Sequence, residues 1–289
     1  MKILFGASQS SNALEDMIYL GLTRIFGPEN VIDVPSKPYF HGEKINSLYC
    51  CWTCFNFPKN EHSEEDIKSI NFDLAIYDLR CPVKDDIIKN SEKPIVIDGE
   101  DKAHNIFPNK HAYFLREYDK TLDHPKNVFP MPLTYDYIHN DSHGLDNLKD
   151  KKYDSWCVST WGVNPETYKF YNSYNQISSH EDYMRSIKQS KIAFSPKKAG
   201  MDSMRTWEIA STGTLLFLEK TNLTIPNGFT HEENIIIYNE SNYKELAEKY
   251  IKNDSLRENI AEKCQKLFLN FHTPEKRVEY MIEKWKEIN

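Results

Sequence analysis

The chain has 289 residues, of which 36 are Lys or Arg and 43 are Asp or Glu, so its formal net charge is −7. Apolar residues make up 39% and charged residues 27% of the sequence, which argues against disorder as the main state. The acidic balance argues against a protein that coats nucleic acid, although it leaves room for a local basic patch. The length fits one large domain or two domains of about 100–150 residues each.

The first residues, MKILFGASQSS, contain a short apolar run that breaks at Ser8. A secretory signal needs about 7–15 apolar residues, so this run is better explained as a first β-strand. No apolar run approaches the roughly 18–20 residues that span a bilayer. We therefore expect a cytoplasmic protein.

Strands and helices alternate along the first half of the chain. An apolar strand at residues 1–5 precedes a helix at 13–26, which Gly27-Pro28 ends, and a second strand follows at 31–34. This β-loop-α-β order places two parallel strands side by side. Further strands are predicted at 73–77, 94–98 and 112–115, with short helices between them. The alternation predicts a parallel sheet wrapped by helices.

The stretch from residue 126 to residue 152 is rich in proline and polar residues and indicates a domain boundary. We predict domains at 1–135 and 136–289. In the second half, strands are predicted at 153–160, 191–195, 214–218 and 234–238. Helices are predicted at 183–189, from 202 or 203 to 212, and at 242–252, 255–269 and 275–287.

Three cysteines, Cys50, Cys51 and Cys54, cluster in YCCWTCF. A C-x-x-C pair could hold half of a zinc site, but no second pair is present, so Cys81 or His41 would have to complete it. Apolar thiols packed among aromatic rings are the favoured interpretation.

Two histidines, His139 and His143, flank Asp141 in the region of the boundary. Metal binding is conceivable there, but solvated linker residues are the simpler explanation. The sequence contains no D-x-D motif of the kind that metal-dependent transferases carry. We expect no bound metal and no cofactor.

The segment from Ser195 to Glu208 is the strongest candidate for a binding site. A strand ends at Ser195, a loop with two lysines follows, and a helix begins near Asp202 or Ser203. Free N–H groups at a helix start and nearby lysines suit a diphosphate. Arg205 and Glu208 are three residues apart and share a helix face. The alternative is a surface ion pair under a solvated loop.

The segments SKIAFSPKKAGMDSMRTWEIASTGTLLFLEK and FTHEENIIIYNESNYKELAEKYI resemble the donor-binding half of GT-B glycosyltransferases. The segments resemble the family-1-like bacterial proteins of the CgeB type and, to a smaller extent, exostosins. It implies that Glu208 binds the ribose hydroxyls of a nucleotide sugar, and that Arg205 with Lys197 or Lys198 binds the diphosphate. The donor-binding residues it implies are Ser195, Lys197, Lys198, Gly200, Ser203, Arg205, Glu208, Thr212 and Gly213.

The segments IYDLRCP, PIVIDGEDKAH and YFLREYDK are similar to parts of the acceptor domain of the same proteins. The resemblance implies an α/β fold with two Rossmann-like domains facing across a cleft and C-terminal helices packing back. One departure concerns the E-x7-E pattern of retaining enzymes, because Gly200 and Met201 precede Glu208 where an acid is expected. The stereochemistry therefore stays open.

Asp98, Glu100 and Asp101 follow a predicted strand and lie near His104. An inverting transferase needs a base that takes a proton from the acceptor hydroxyl, and we predict these carboxylates as catalytic candidates. The alternative is that Asp98 caps a helix whose first turn the other two acids favour.

These observations together predict a glycosyltransferase that moves a sugar from a nucleotide-diphosphate donor to a hydroxyl of a glycan, protein or small molecule. Nucleic acid is a less expected acceptor because the chain is acidic. Two alternatives are a nucleotide-sugar epimerase of the same fold and a non-catalytic protein that binds nucleotide sugars.

Overall fold

The computed structural model describes most of the chain as two compact units. The residues described are 1–8, 10–43, 55–59, 67, 69–83, 85, 93–102, 111–138, 140, 144, 145, 148, 150–157, 170, 171, 179–197 and 199–289. The first unit consists of Met1–Leu133 and Pro274–Asn289, and the second of Thr134–Thr273. The cysteine cluster at 50–54, Lys198, His104, His139, Asp141 and His143 lie outside the described residues.

The first unit is built on a six-stranded parallel sheet. Its strands are β1 (Ile3–Gly6), β2 (Val31–Val34), β3 (Leu74–Asp78), β4 (Ile95–Asp98), β5 (Ala112–Leu115) and β6 (Val128–Pro130). Their order across the sheet is β2-β1-β3-β4-β5-β6. The four residues of β1, β4 and β5 are all buried, as expected of parallel strands that are covered on both faces.

Two helices of the first unit pack on each other, although they lie at opposite ends of the sequence. They are α1 (Ala13–Phe26) and α6 (Pro274–Glu287). A Cβ added to Gly21 would lie 2.4 Å from the carbonyl oxygen of Pro274, so the two backbones nearly touch. Arg277 Nη2 also donates to the carbonyl oxygen of Leu133 at 3.2 Å. These contacts fix the last helix to the first unit.

Within its described residues, the second unit contains a five-stranded parallel sheet and four helices. The strands are β7 (Tyr153–Trp156), β8 (Phe170–Tyr171), β9 (Ser190–Ser195), β10 (Leu215–Glu219) and β11 (Ile236–Tyr238), in the order β11-β10-β9-β7-β8. The helices are α2 (His180–Lys188), α3 (Met204–Thr212), α4 (Tyr243–Ile251) and α5 (Asp254–Phe271). Buried apolar residues of β9, β10 and β11 form one core with α4 and α5.

The division of the chain differs from the predicted domains in two respects. The predicted boundary after residue 135 falls two residues beyond the end of the first segment, Leu133. The predicted second domain ran on to residue 289, whereas residues 274–289 group with the first unit. The cause is the close packing of α6 against α1, which a local sequence pattern does not encode. Among the described residues, no helix is long and apolar enough to cross a membrane.

Candidate donor site

The carboxyl edge of the second sheet gathers polar groups from three neighbouring strands. Ser195 ends β9, Glu219 ends β10 and Tyr238 ends β11. Ser195 pairs with Leu218, and Glu219 pairs with Tyr238, so the three ends lie at the same level. In open α/β sheets this edge is where ligands bind.

Helix α3 follows β9 and begins at this edge. Its N-cap, Ser203, has an extended backbone, and its side chain makes no capping hydrogen bond. The first N–H groups of a helix need a partner, and an anion can supply it. The start of α3 can therefore offer N–H groups to an anion, and its role as a diphosphate site stays a prediction.

Arg205 and Glu208 lie on α3 and are both buried, with exposed fractions of 6% and 4%. Their burial excludes the alternative of a surface ion pair. Arg205 Nε and Nη1 have no hydrogen-bond partner within the described part of the chain. A buried guanidinium group with open N–H donors is costly unless an acceptor meets it. A phosphate group is such an acceptor.

Tyr183 of α2 connects these two residues. Its hydroxyl donates to Glu208 Oε2 at 2.6 Å and is also hydrogen bonded to Arg205. Burial of the hydroxyl and the charge of Glu208 raise the pKa of Tyr183 well above its ordinary value, while Arg205 acts in the opposite direction. Tyr183 therefore stays protonated and holds the carboxylate of Glu208 as a hydrogen-bond acceptor, which is what ribose hydroxyls require.

The loop between β9 and α3 is tied to the sheet at two places. Ser195 Oγ and Thr206 Oγ1 are 2.8 Å apart and share a hydrogen bond. Glu219 accepts from the backbone N–H of Lys197 at 3.0 Å, and its Oε1 lies 3.3 Å from Lys197 Nζ. Gly200, in the same loop, is buried. The positive charge of Lys197, whose side chain is exposed, is thus already paired with Glu219.

Thr212 and Gly213 lie at the opposite end of α3 from its N-cap. Gly213 ends the helix in a left-handed conformation, with φ 70° and ψ 22°. Thr212 Oγ1 donates to the carbonyl oxygen of Ile209 at 2.8 Å. The seven or eight helical residues between Arg205 and this pair span about 10–12 Å. Their contacts are those of a helix end, and their role as donor ligands stays a prediction.

The predicted catalytic carboxylates lie at the carboxyl edge of the first sheet, and each has a partner. Asp98 is fully buried and accepts from the Tyr113 hydroxyl at 2.6 Å. Glu100 Oε1 lies 3.0 Å from Arg80 Nε. Asp101 Oδ1 accepts from Arg116 Nη2 at 2.5 Å.

Glu15 is a buried acid in the first unit that the sequence analysis did not select. It accepts from Ser8 Oγ at 2.6 Å and from Lys37 Nζ at 2.7 Å. Burial raises the pKa of Glu15 to about 8, although Lys37 acts in the opposite direction. In the sequence Glu15 looks like an ordinary first-turn acid of α1, and nothing local signals its burial.

Comparison with known proteins defines the class of this fold. A crystal structure of a glycosyltransferase from Rickettsia africae ESF-5 aligns with a TM-score of 0.62 and 12% identity, covering 100% of this chain and 98% of that chain. HepE of Anabaena, solved in complex with UDP-glucose, aligns with a TM-score of 0.56 and 8% identity over 99% of this chain and 100% of that chain. The chain has the GT-B fold of glycosyltransferases.

Sequence comparison is more specific. Residues 143–283 match the family model described as "Glycosyl transferase-like". No match was found among curated proteins. The predicted fold is confirmed, and the match of residues 143–283 agrees with the predicted class of enzyme, a glycosyltransferase. The two alternatives, an epimerase and a non-catalytic binding protein, receive no support.

Proposed function

We propose that the second unit binds a uridine-diphosphate sugar and that the protein transfers the sugar to an acceptor hydroxyl. The observation that carries the proposal is the buried pair Arg205 and Glu208 at the start of α3. Arg205 offers N–H donors that have no partner among the described residues, and Glu208 is held as an acceptor by Tyr183. The choice of uridine is supported by HepE, which was solved with UDP and with UDP-glucose.

In this arrangement Arg205 binds the diphosphate and Glu208 accepts from the ribose hydroxyls. The diphosphate is the leaving group, so negative charge develops on it as the bond to the sugar breaks. A cation that is fixed in a buried site stabilises this charge without having to reorganise. The open donors of Arg205 therefore serve binding and catalysis together.

On the acceptor side, Glu100 is the proposed base among the three predicted carboxylates. Asp98 is fully buried and already accepts from Tyr113. The side chain of Glu100 is about one third exposed, at 33%, and lies beside Arg80 at the sheet edge. A base must reach the proton that it takes, and an accessible carboxylate meets this condition.

The donor site is tested by thermal unfolding with UDP, GDP, ADP, CDP and TDP. A ligand at about 100 times its Kd adds about 2.7 kcal/mol to stability. We expect UDP to raise the Tm of the wild type by several degrees and the other nucleotides to raise it less. Arg205→Ala and Glu208→Gln should lose the response, while Arg185→Ala, an exposed arginine of the same unit, should keep it.

Glu100→Gln belongs in the same assay. It should respond to UDP as the wild type does and lose sugar transfer by about 10²- to 10⁴-fold. A wild type that responds to none of the nucleotides, or an Arg205→Ala variant with an unchanged response, would contradict the donor-site assignment.

A further inference from the structure

Side chains from neighbouring loops fix the backbone of Glu100. The Glu100 N–H donates to Asp98 Oδ1 at 3.1 Å. Arg116 Nη1 donates to the carbonyl oxygen of Gly99 at 2.9 Å, and Arg116 Nη2 donates to Asp101 Oδ1 at 2.5 Å. The loop after β4 is therefore held at three consecutive residues, and Glu100 is the middle one.

The side chain of Glu100 meets Arg80, which follows β3. Glu100 Oε1 lies 3.0 Å from Arg80 Nε, and the two side chains are 33% and 32% exposed. An acceptor can therefore reach this pair. Ion pairs with this exposure add little to stability, so stability alone gives a weak reason for the contact.

Arg80 is in turn fixed by Asp78, the last residue of β3. Asp78 is fully buried, and its Oδ1 accepts from the backbone N–H of Arg80 at 2.9 Å and from Arg80 Nε at 3.1 Å. Its Oδ2 accepts from Asn12 Nδ2, at the start of α1. A buried carboxylate that has hydrogen bonds on both oxygens has a fixed position. The place of the Arg80 guanidinium is therefore set by Asp78 and not by Glu100.

We propose that Arg80, anchored by Asp78, is a positioning residue that orients the Glu100 carboxylate toward the acceptor hydroxyl. This inference rests on the proposed function, in which Glu100 is the base. Glu100 takes the hydroxyl proton while the hydroxyl oxygen bonds to the sugar and the bond from the sugar to the diphosphate breaks. A base that is held in one position keeps the reacting atoms in line. After Glu100 is protonated, Arg80 still has Asp78 as its counter-charge.

An anionic group of the acceptor would be a poorer partner for Arg80. Asp78 and Glu100 already share this guanidinium. An incoming anion would place a third negative charge around one cation, and like charges at this distance repel each other. The contacts therefore favour a role toward Glu100 over a role toward the substrate.

The test measures release of UDP from UDP-glucose with methyl glucoside as the probe acceptor. In Arg80→Met, kcat should fall about 10- to 100-fold, because the base loses its orientation, while the KM of both substrates changes less than about twofold. Arg80→Lys keeps a cation beside Asp78 and should recover part of the loss. In a Glu100→Gln background, Arg80→Met should cost less than about a further twofold, because it acts through Glu100.

Arg24→Met is the matched control, because Arg24 forms a partly exposed ion pair of 3.1 Å with Glu275 in the same unit. It should leave kcat unchanged. The proposal is overturned if the effects of Arg80→Met and Glu100→Gln multiply in the double variant. A raised KM for methyl glucoside with an unchanged kcat in Arg80→Met would also overturn it, because Arg80 would then bind the acceptor.

A crystal structure of Arg80→Met tests the same proposal without an activity assay. We expect the backbone of residues 99–101 to stay in place and the Glu100 carboxylate to leave its position. A carboxylate that keeps its position in this variant would overturn the proposal. A Glu100→Gln variant with the wild-type rate, or a wild type that releases no UDP, would instead contradict the proposed function.

Discussion

At the scale of single residues, His41 and Asp33 form a buried pair in the first unit. His41 Nε2 lies 3.1 Å from Asp33 Oδ1, and both side chains are almost inaccessible. Burial lowers the pKa of His41, but the hydrogen bond to Asp33 and the charge of Asp33 act in the opposite direction, and the pKa ends above its ordinary value of 6.5. The folded state therefore holds the imidazole proton more tightly than the unfolded state.

This pair makes stability depend on pH with a defined sign. A raised pKa contributes stability that is fully present below the unfolded value of about 6.5 and is lost as the pH rises through the folded value. We expect the free energy of unfolding of the wild type to fall relative to His41→Gln as the pH rises above about 6.5. Urea unfolding at several pH values measures this difference, and a difference that is constant with pH would contradict the expectation.

The sequence singled out Arg205 and Glu208 as donor-site candidates because their spacing and their position after a strand end are visible in the residues themselves, and this role stays a proposal. It did not single out Tyr183. A tyrosine in a helix is usually part of the core, and only the structure shows which group its hydroxyl contacts.

At the scale of elements, the contact between α1 and α6 depends on Gly21. A Cβ at this position would lie 2.4 Å from the Pro274 carbonyl oxygen and 2.8 Å from Val278 Cγ2. Alanine favours a helix by about 1 kcal/mol over glycine, but a backbone atom cannot move aside as a side chain can. The steric overlap therefore outweighs the helix preference of alanine, and the substitution destabilises the protein.

We expect Gly21→Ala to lower the free energy of unfolding by about 1–3 kcal/mol. Arg24→Ala is the control on the same helix, because Arg24 forms an ion pair of 3.1 Å with Glu275 of α6 that is about one quarter exposed. It should cost less than about 1 kcal/mol. Urea unfolding measures the free energy of unfolding of both variants. Equal losses would show that the helices can separate to admit a methyl group.

Most strands and helices were predictable because each has a local signature. Helix α3 illustrates this, since Ser203 precedes it and Gly213 ends it, as the sequence indicated. Strand β6 was missed, because Val128–Pro130 is only three residues long and contains a proline. The partner of α6 was also missed, because an apolar helix face shows that it will be buried but does not show against which element.

At the scale of the whole molecule, the first unit is completed by the end of the chain. Val278 and Met281 of α6 are fully buried, and Tyr280 packs against Phe114 of β5 with ring centroids 6.3 Å apart. A chain that ends at Thr273 would expose the faces of α1 and β5 that these residues cover. The second unit contains none of these contacts.

Hydrogen exchange on such a shortened chain should therefore show a local loss. We expect amides of residues 13–26 to exchange much faster than in the wild type, and amides of α3 to keep their protection. A chain that ends at Glu287 is the control, because the residues it lacks are exposed. Unchanged protection in α1 would show that α6 is dispensable for the first unit.

The return of the chain at Pro274 has a practical consequence for engineering. Thr134 Oγ1 donates to the carbonyl oxygen of His272, so the second unit begins and ends at the same place. The two segments of the first unit also meet here, because Arg277 of the last helix donates to the carbonyl oxygen of Leu133. The residues of the second unit therefore form one continuous insertion into the chain of the first unit. Chain ends placed between Leu133 and Thr134 and between Thr273 and Pro274 would take this insertion out in one piece, and we expect an exchange of the segment between relatives to work best at these two points.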